Sequence, residues 1–80
     1  MTVKIRGASL IPIKGDFIRL DALLKYASIV STGGEAKMII QSGGVFVGGL
    51  VCTQRGKKIR PHDIVRVGEK VMVIGAANDR

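Results

Sequence analysis

Two adjacent glycines, Gly48 and Gly49, separate the short apolar runs VFV and LVC. Glycine adopts positive φ angles without steric cost, so a glycine pair between extended runs is a strong signal for a β-hairpin. The runs IVRV and KVMVIG repeat this pattern around Gly68 and Glu69. Residues 71–74 are apolar at every position, which favours a central strand. The second half of the chain is therefore predicted to consist of hairpin-linked strands.

A first helix is predicted over residues 17–28. Asp16 precedes it as a favourable N-cap, because its carboxylate can accept hydrogen bonds from free backbone N–H groups. Apolar side chains follow at helical spacing and comprise Phe17, Leu20, Leu23, Leu24 and Ala27. Arg19, Asp21 and Lys25 lie off this apolar stripe.

A second, shorter helix is predicted within TGGEAKMIIQSGG, residues 32–44. Thr32 and Glu35 have the spacing of a capping box, in which each side chain caps the backbone of the other residue. Gly43 and Gly44 are expected to end the helix. Its apolar face consists of Ala36, Ile39 and Ile40. Two helices joined by about four residues should pack as a hairpin or corner.

The order of these elements indicates a small α+β fold. Residues 2–5 and 10–13 are candidate strands before the helices, and residues 76–80 are expected to be frayed. A chain of 80 residues is long enough for one small domain, so a single domain is expected over residues 1–80. Its core must be largely aliphatic, because the chain has only three aromatic residues, which are predicted to lie in the core: Phe17, Tyr26 and Phe46.

The charge balance is strongly basic, with 13 Lys and Arg against 6 Asp and Glu and a formal net charge of +7. Four of the cations, Arg55, Lys57, Lys58 and Arg60, lie within six positions of one another. Such a charge favours an acidic partner, most commonly nucleic acid, although basic proteins also bind membranes and acidic proteins. The basic segment is open to two interpretations, a phosphate-binding loop or a loop that only aids solubility.

Several classes of function are disfavoured by the residue inventory. The sequence has no paired carboxylates, no nucleophile beside a base and no phosphate-binding glycine loop, so neither an enzyme nor a bound cofactor is expected. One cysteine, Cys52, and one histidine, His62, are too few for a zinc site. Cys52 is predicted to be a core residue in a strand, and His62 a solvated turn residue. The single cysteine and the lack of an apolar run of about 18 residues favour a cytoplasmic protein without a membrane span.

Five short pieces between Arg19 and Val65 have a characteristic order and spacing. They are Arg19-Leu20-Asp21, then Glu35-Ala36-Lys37 with Ile40 and Gly43, then Val45-Phe46-Val47, then Arg55-Gly56-Lys57-Lys58, and finally Pro61-His62-Asp63. Together they resemble the RNA-binding domain first described in ribosomal protein S4 of the small subunit, and in detail a bacterial branch of stand-alone small proteins of this type. The resemblance implies a two-helix corner packed on a small, bent, mostly antiparallel sheet.

The chain departs from the family pattern at three places. Gly33 and Gly34 stand where the family usually has basic residues, which removes two expected phosphate contacts. Gly48-Gly49 replaces the usual Asn-Gly turn and keeps its tolerance of positive φ. His62-Asp63 stands where the family usually has Gly-Asp.

The resemblance implies that RNA is held along the helix pair and the neighbouring basic loop. The candidate RNA-binding residues are Arg19, Lys37, Gln41, Arg55, Lys57, Lys58 and Arg60. From the residues alone, Lys37 and Gln41 could equally form an ordinary solvent-exposed face. Arg19 could equally form a salt bridge with Asp16 or Asp21.

The expected function is that of a non-catalytic RNA-binding module. Because aromatic residues are scarce, structured RNA of the rRNA or tRNA type, bound through its phosphates, is favoured over stacking on single strands. One alternative is a protein-interaction module that docks to a ribosome or enzyme partner by an edge strand such as residues 2–5. Binding to double-stranded DNA is another. A monomer without cofactor or metal is expected.

Overall fold

The computed structural model describes residues 4–5 and 8–76. The strands are β1 (Lys4–Ile5), β2 (Ala8–Ile13), β3 (Ile18–Arg19), β4 (Val45–Val47), β5 (Leu50–Val51), β6 (Lys58–Ile59), β7 (Ile64–Val67) and β8 (Lys70–Ala76). The helices are α1 (Leu20–Tyr26) and α2 (Gly33–Gln41). The predicted α+β fold is confirmed. Residues 2–3 of the predicted first strand and residues 77–80 of the predicted frayed tail lie outside the described residues, whereas Ala76 belongs to β8.

The main sheet has six strands in the order β1-β2-β8-β7-β4-β5. Neighbouring strands in this sheet are antiparallel except for β2 and β8. These two run parallel, from Ala8 opposite Val71 to Ile13 opposite Ala76. β8 therefore lies inside the sheet, which confirms the central strand predicted from residues 71–74. The parallel pairing joins the two ends of the described chain and was not predicted from the sequence.

Both predicted hairpins are present. Gly48 and Gly49 connect β4 to β5 with φ angles of +60° and +86°, as the turn requires. Gly68 has a φ of +61° in the turn between β7 and β8. These turns fix which strand residues face the helices.

The core is aliphatic and contains side chains from both helices and from strands of both sheets. Its buried side chains are Ile13, Leu20, Leu23, Leu24, Val30, Ala36, Ile40, Val45, Ile59, Val65, Met72 and Ile74. The prediction that the aromatic residues lie in the core is wrong for Phe17 and Tyr26, which are exposed. The Tyr26 hydroxyl donates a hydrogen bond to the Pro12 carbonyl at 2.9 Å. Phe46 is half-buried beneath the Arg66 guanidinium, whose Cζ lies 4.3 Å from the ring centroid.

α1 begins at Leu20 rather than directly after Asp16, so the predicted N-cap is wrong. Residues 18–19 pair instead with residues 58–59 as an antiparallel two-stranded sheet. The N-cap position is Arg19, whose side chain makes no capping hydrogen bond. The first helical N–H groups are satisfied from elsewhere, because carbonyls of the loop between β5 and β6 accept them. The helix ends at Tyr26, two residues earlier than predicted.

α2 agrees with its sequence prediction. The Glu35 N–H donates to Thr32 Oγ1 at 3.1 Å, and Glu35 Oε1 accepts from the Thr32 N–H at 3.3 Å, which completes the capping box. Gly43 follows the helix with a φ of +86°. Cys52 is half-buried and packs against the core, as predicted, but it follows β5 instead of lying in a strand.

Candidate nucleic-acid interface

The basic segment from Arg55 to Arg60, called the basic loop below, is fixed against the start of α1 by backbone hydrogen bonds. The Leu20 N–H donates to the Lys57 carbonyl at 2.9 Å, and the Asp21 N–H donates to the Arg55 carbonyl at 3.0 Å. In the short sheet next to them, Arg19 lies directly opposite Lys58. These contacts bring the backbones of four predicted cations together, although Arg19 is far from the other three in sequence. We call Arg19, Arg55, Lys57 and Lys58 the cation cluster.

Asp21 joins two members of the cation cluster. Its Oδ1 accepts from Arg19 Nε at 3.2 Å, and its Oδ2 accepts from Arg19 Nη2 at 3.1 Å and from Arg55 Nε at 3.2 Å. The Ala22 N–H also donates to Oδ1, at 2.8 Å. Asp21 is only 9% exposed, although the sequence placed it off the apolar stripe. A single buried carboxylate therefore sets the orientation of two arginine side chains.

The protonation of Asp21 follows from these contacts. Burial alone would raise the pKa of its carboxyl group, because a desolvated carboxylate is unfavourable. The hydrogen bonds from Arg19, Arg55 and the Ala22 N–H outweigh burial and hold the pKa below its ordinary value. Asp21 is therefore charged at neutral pH and keeps both arginines in place.

Both arginines retain donors that Asp21 does not bind. Arg19 uses Nε and Nη2, and Arg55 uses only Nε. Among the described residues, no hydrogen bond involves Arg19 Nη1 or either terminal nitrogen of Arg55. The side chains are 55% and 42% exposed respectively, so these donors can reach a ligand in solvent. The salt bridge that the sequence offered as an alternative for Arg19 thus exists and leaves the guanidinium accessible.

The two lysines of the cluster are exposed. Lys58 Nζ lies 4.8 Å from the centroid of the exposed Phe17 ring, which is within cation–π distance. Arg60 is also exposed, and its backbone N–H donates to Asp63 Oδ2 at 2.8 Å. The Asp63 carboxylate therefore caps a turn, and no salt bridge joins it to a cation in the described part of the chain.

Lys37 and Gln41 lie one turn apart on α2, and both are exposed. No hydrogen bond or ion pair within residues 4–5 and 8–76 connects either of them to the cation cluster. The structure thus places the Arg19 and Arg55 side chains on one carboxylate, with the backbones of Lys57 and Lys58 next to them. Lys37, Gln41 and Arg60 are exposed, and no hydrogen bond or ion pair among the described residues joins them to that group. Sequence reasoning offered Asp21 as one possible partner of Arg19 but missed that the same carboxylate also positions Arg55. The signal available was its place directly after Arg19-Leu20, in a piece typical of the family.

Other kinds of site find little support in the described residues. Within them, no group of three or more His, Cys, Asp and Glu side chains is placed to hold a metal ion. Neither α1 nor α2 has the length and apolarity needed to cross a membrane. His62 is exposed in a turn, as predicted.

Comparison with known proteins decides the family. A family model described as the S4 domain matches residues 11–75. The chain belongs to the S4 domain family. This S4 domain is also similar to the small ribosomal subunit protein uS4 of Novosphingobium aromaticivorans, at 31% identity over 52 residues. The matched region covers 65% of this chain and 26% of that protein, so the S4 domain described here corresponds to about a quarter of its relative.

Proposed function

We propose that this protein is a non-catalytic RNA-binding module that recognises structured RNA, of the rRNA or tRNA type, through contacts to phosphates. The observation that carries the proposal is the arrangement at Asp21, whose carboxylate holds two partly exposed guanidinium groups that keep donors without a partner among the described residues. Membership of the S4 family and similarity to a ribosomal protein support the same function.

The chemistry of the cation cluster suits a phosphate backbone. A guanidinium group can bind a phosphate with two parallel hydrogen bonds, whereas a lysine acts as a point charge. Binding normally costs entropy when long side chains become ordered. Asp21 has already ordered Arg19 and Arg55, so less of that cost remains when RNA binds. Lys57 and Lys58 add positive charge on the same segment.

Structured RNA fits this surface better than extended single strands. Single-strand binding usually relies on exposed aromatic rings that stack with successive bases. Of the three aromatic residues here, Phe17 carries Lys58 over its ring and Phe46 carries Arg66. A surface of cations and polar groups reads mainly the shape and backbone of a folded RNA. Lys37, Gln41 and Arg60 would extend the contact beyond the cation cluster.

A charge-reversal experiment tests the proposal. Lys57→Glu with Lys58→Glu should abolish binding to a folded RNA at low salt. The matched control is Arg66→Glu with Lys70→Glu, which makes the same change in charge away from the cation cluster. Arg55 is left intact, because a glutamate beside Asp21 would also disturb the fold. If the two double variants bind RNA equally well, the cation cluster is not the binding site.

The main rival function is protein binding by strand addition. β1 is an outer strand of the six-stranded sheet, and no other strand of the described residues pairs with its second side, where a partner strand could add. The lysine double variant separates the two functions, because a partner held by β1 would still bind to it. Competition between folded RNA and duplex DNA of equal length, at one salt concentration, tests the DNA alternative in the same assay.

A further inference from the structure

A groove of about 320 Å³ opens between the β4–β5 hairpin and the basic loop. One wall is apolar and consists of Val47, Leu50 and Val51, and the other carries Thr53, Gln54 and Lys57. Leu50 is 74% exposed and Val51 54% exposed on β5, which pairs with β4. Two large aliphatic side chains next to each other in a groove that also holds polar groups give it the mixed lining of a ligand site.

The groove adjoins the cation cluster. Lys57 belongs to both, and its carbonyl accepts the hydrogen bond that fixes the loop to Leu20. A phosphate held by Arg55 and Lys57 would therefore leave the nucleotide attached to it next to the groove. The rest of the groove has the chemistry that a base requires, an apolar surface for its flat face and hydrogen-bonding groups for its edge.

We infer that this groove receives one unstacked nucleobase of the bound RNA. Leu50 and Val51 would cover a face of the base, and the Thr53 hydroxyl and Gln54 amide would bind its polar edge. Neither of these two side chains has a hydrogen-bond partner among the described residues. A second copy of the chain is a poor occupant, because each copy carries a net charge of +7 and the groove contains a lysine.

This inference rests on the proposed RNA-binding function. It adds to the contacts with RNA phosphates a preference for RNA that has an unpaired base. A fully paired duplex offers no free base to the groove. A helix with a bulged nucleotide offers one at small cost, since that base is already unpaired. The protein should therefore prefer bulged RNA to the same duplex without the bulge.

The test uses two RNA hairpins that differ only by one bulged 2-aminopurine. The wild-type protein should bind the bulged RNA about tenfold tighter, because one base face becomes buried against Leu50. The fluorescence of the 2-aminopurine should rise when the base leaves the helix stack. Leu50→Ser should remove the preference and the fluorescence change, and should leave binding to the unbulged hairpin unchanged. Leu10→Ser is the matched control, since Leu10 is another exposed leucine on a strand, outside the groove.

The outcomes separate the two proposals. Equal affinity of the wild-type protein for both hairpins, or loss of the preference in Leu10→Ser, would overturn the nucleobase site and leave the RNA-binding function standing. Failure to bind either hairpin would contradict the RNA-binding function itself. Gln54→Ala provides a second variant that does not alter the apolar wall, and it should lower the preference for the bulge. Dimerisation that Leu50→Ser abolishes would assign the groove to a second copy instead.

Discussion

Arg55 reaches across 34 positions of the chain to Asp21, with 3.2 Å between Arg55 Nε and Asp21 Oδ2. The same carboxylate accepts two hydrogen bonds from Arg19. The buried Asp21 carboxylate thus connects the start of α1 with the basic loop and with β3, the strand before α1. Both the stability of this corner and the direction of its donors depend on that charge.

Asp21→Asn should destabilise the fold by about 1–3 kcal/mol, because the amide cannot replace three charge-assisted hydrogen bonds. Urea unfolding followed by circular dichroism measures the change. Asp16→Asn is the control, since Asp16 is exposed and has no salt bridge within the described residues. An equal loss of stability in both variants would show that the contacts of Asp21 contribute nothing particular. The Asp21 variant should also bind RNA more weakly at neutral pH, because its arginines are no longer oriented.

The stability of the fold should depend on Asp21 in acid. The folded-state pKa of Asp21 lies below the value of 3.8 expected for an unperturbed aspartate, so the unfolded chain takes up this proton first. The free energy of unfolding should therefore fall as the pH drops from just above that value through the lowered native pKa. The wild type and Asp21→Asn should converge in stability across this range. A constant difference between them down to pH values below the native pKa would contradict the linkage.

Sequence patterns correctly predicted the features that depend on residues close together in the chain. The glycine turns, the capping box at Thr32 and Glu35, and the buried Leu20, Leu23 and Leu24 all depend on residues within a few positions. The start of α1 could not be predicted in this way, because it depends on residues that are distant in sequence. Residues 58–59 pair with residues 18–19 as a strand, and the carbonyls of Arg55 and Lys57 accept the first helical N–H groups, so the helix begins only at Leu20. The burial of Asp21 has the same origin, since Arg55 is distant in sequence.

His62 occupies a backbone conformation that favours glycine, with a φ of +81°. Its N–H donates to the Ile74 carbonyl at 2.7 Å, which ties the turn to β8. His62→Gly should therefore raise the free energy of unfolding by about 0.5–1 kcal/mol. His62→Ala keeps the Cβ atom and should give no gain. If alanine stabilised the fold as much as glycine, the imidazole ring rather than the backbone would be the cause of strain.

Gly34 lies in the first turn of α2, where an added Cβ would meet only Thr32 Oγ1, at 3.9 Å. It precedes Lys37 by three positions and shares its side of the helix. Gly34→Lys should therefore add a second cation beside Lys37 and tighten RNA binding about threefold. The slope of log K against log salt concentration should become about one unit steeper. Gly34→Gln controls for the change in helix propensity. Equal binding by the two variants would place the start of α2 outside the RNA interface.

At the candidate site too, the sequence indicated the residues but not the contacts between distant parts of the chain. The run of charge in the sequence indicated Arg55, Lys57 and Lys58, the resemblance to the S4 family added Arg19, and the structure brings the four together. The salt bridge of Arg19 with Asp21 was one alternative offered by the sequence, whereas the contact of Arg55 with the same carboxylate and the groove beside Leu50 were not predicted. Both are formed where the loop between β5 and β6 folds back on α1 and the hairpin, an arrangement that no local spacing encodes.

The central claim is that the cation cluster neutralises RNA phosphates, and the salt dependence of binding tests it most directly. Affinity for a folded RNA should be measured between about 50 and 200 mM salt for the wild type, Lys57→Ala and Arg66→Ala. If about four to six phosphates are neutralised, the slope of log K against log salt should be roughly −3 to −5. Lys57→Ala should make that slope about one unit shallower, and Arg66→Ala should leave it unchanged. A wild-type slope near zero, or an equal change in both variants, would contradict the claim.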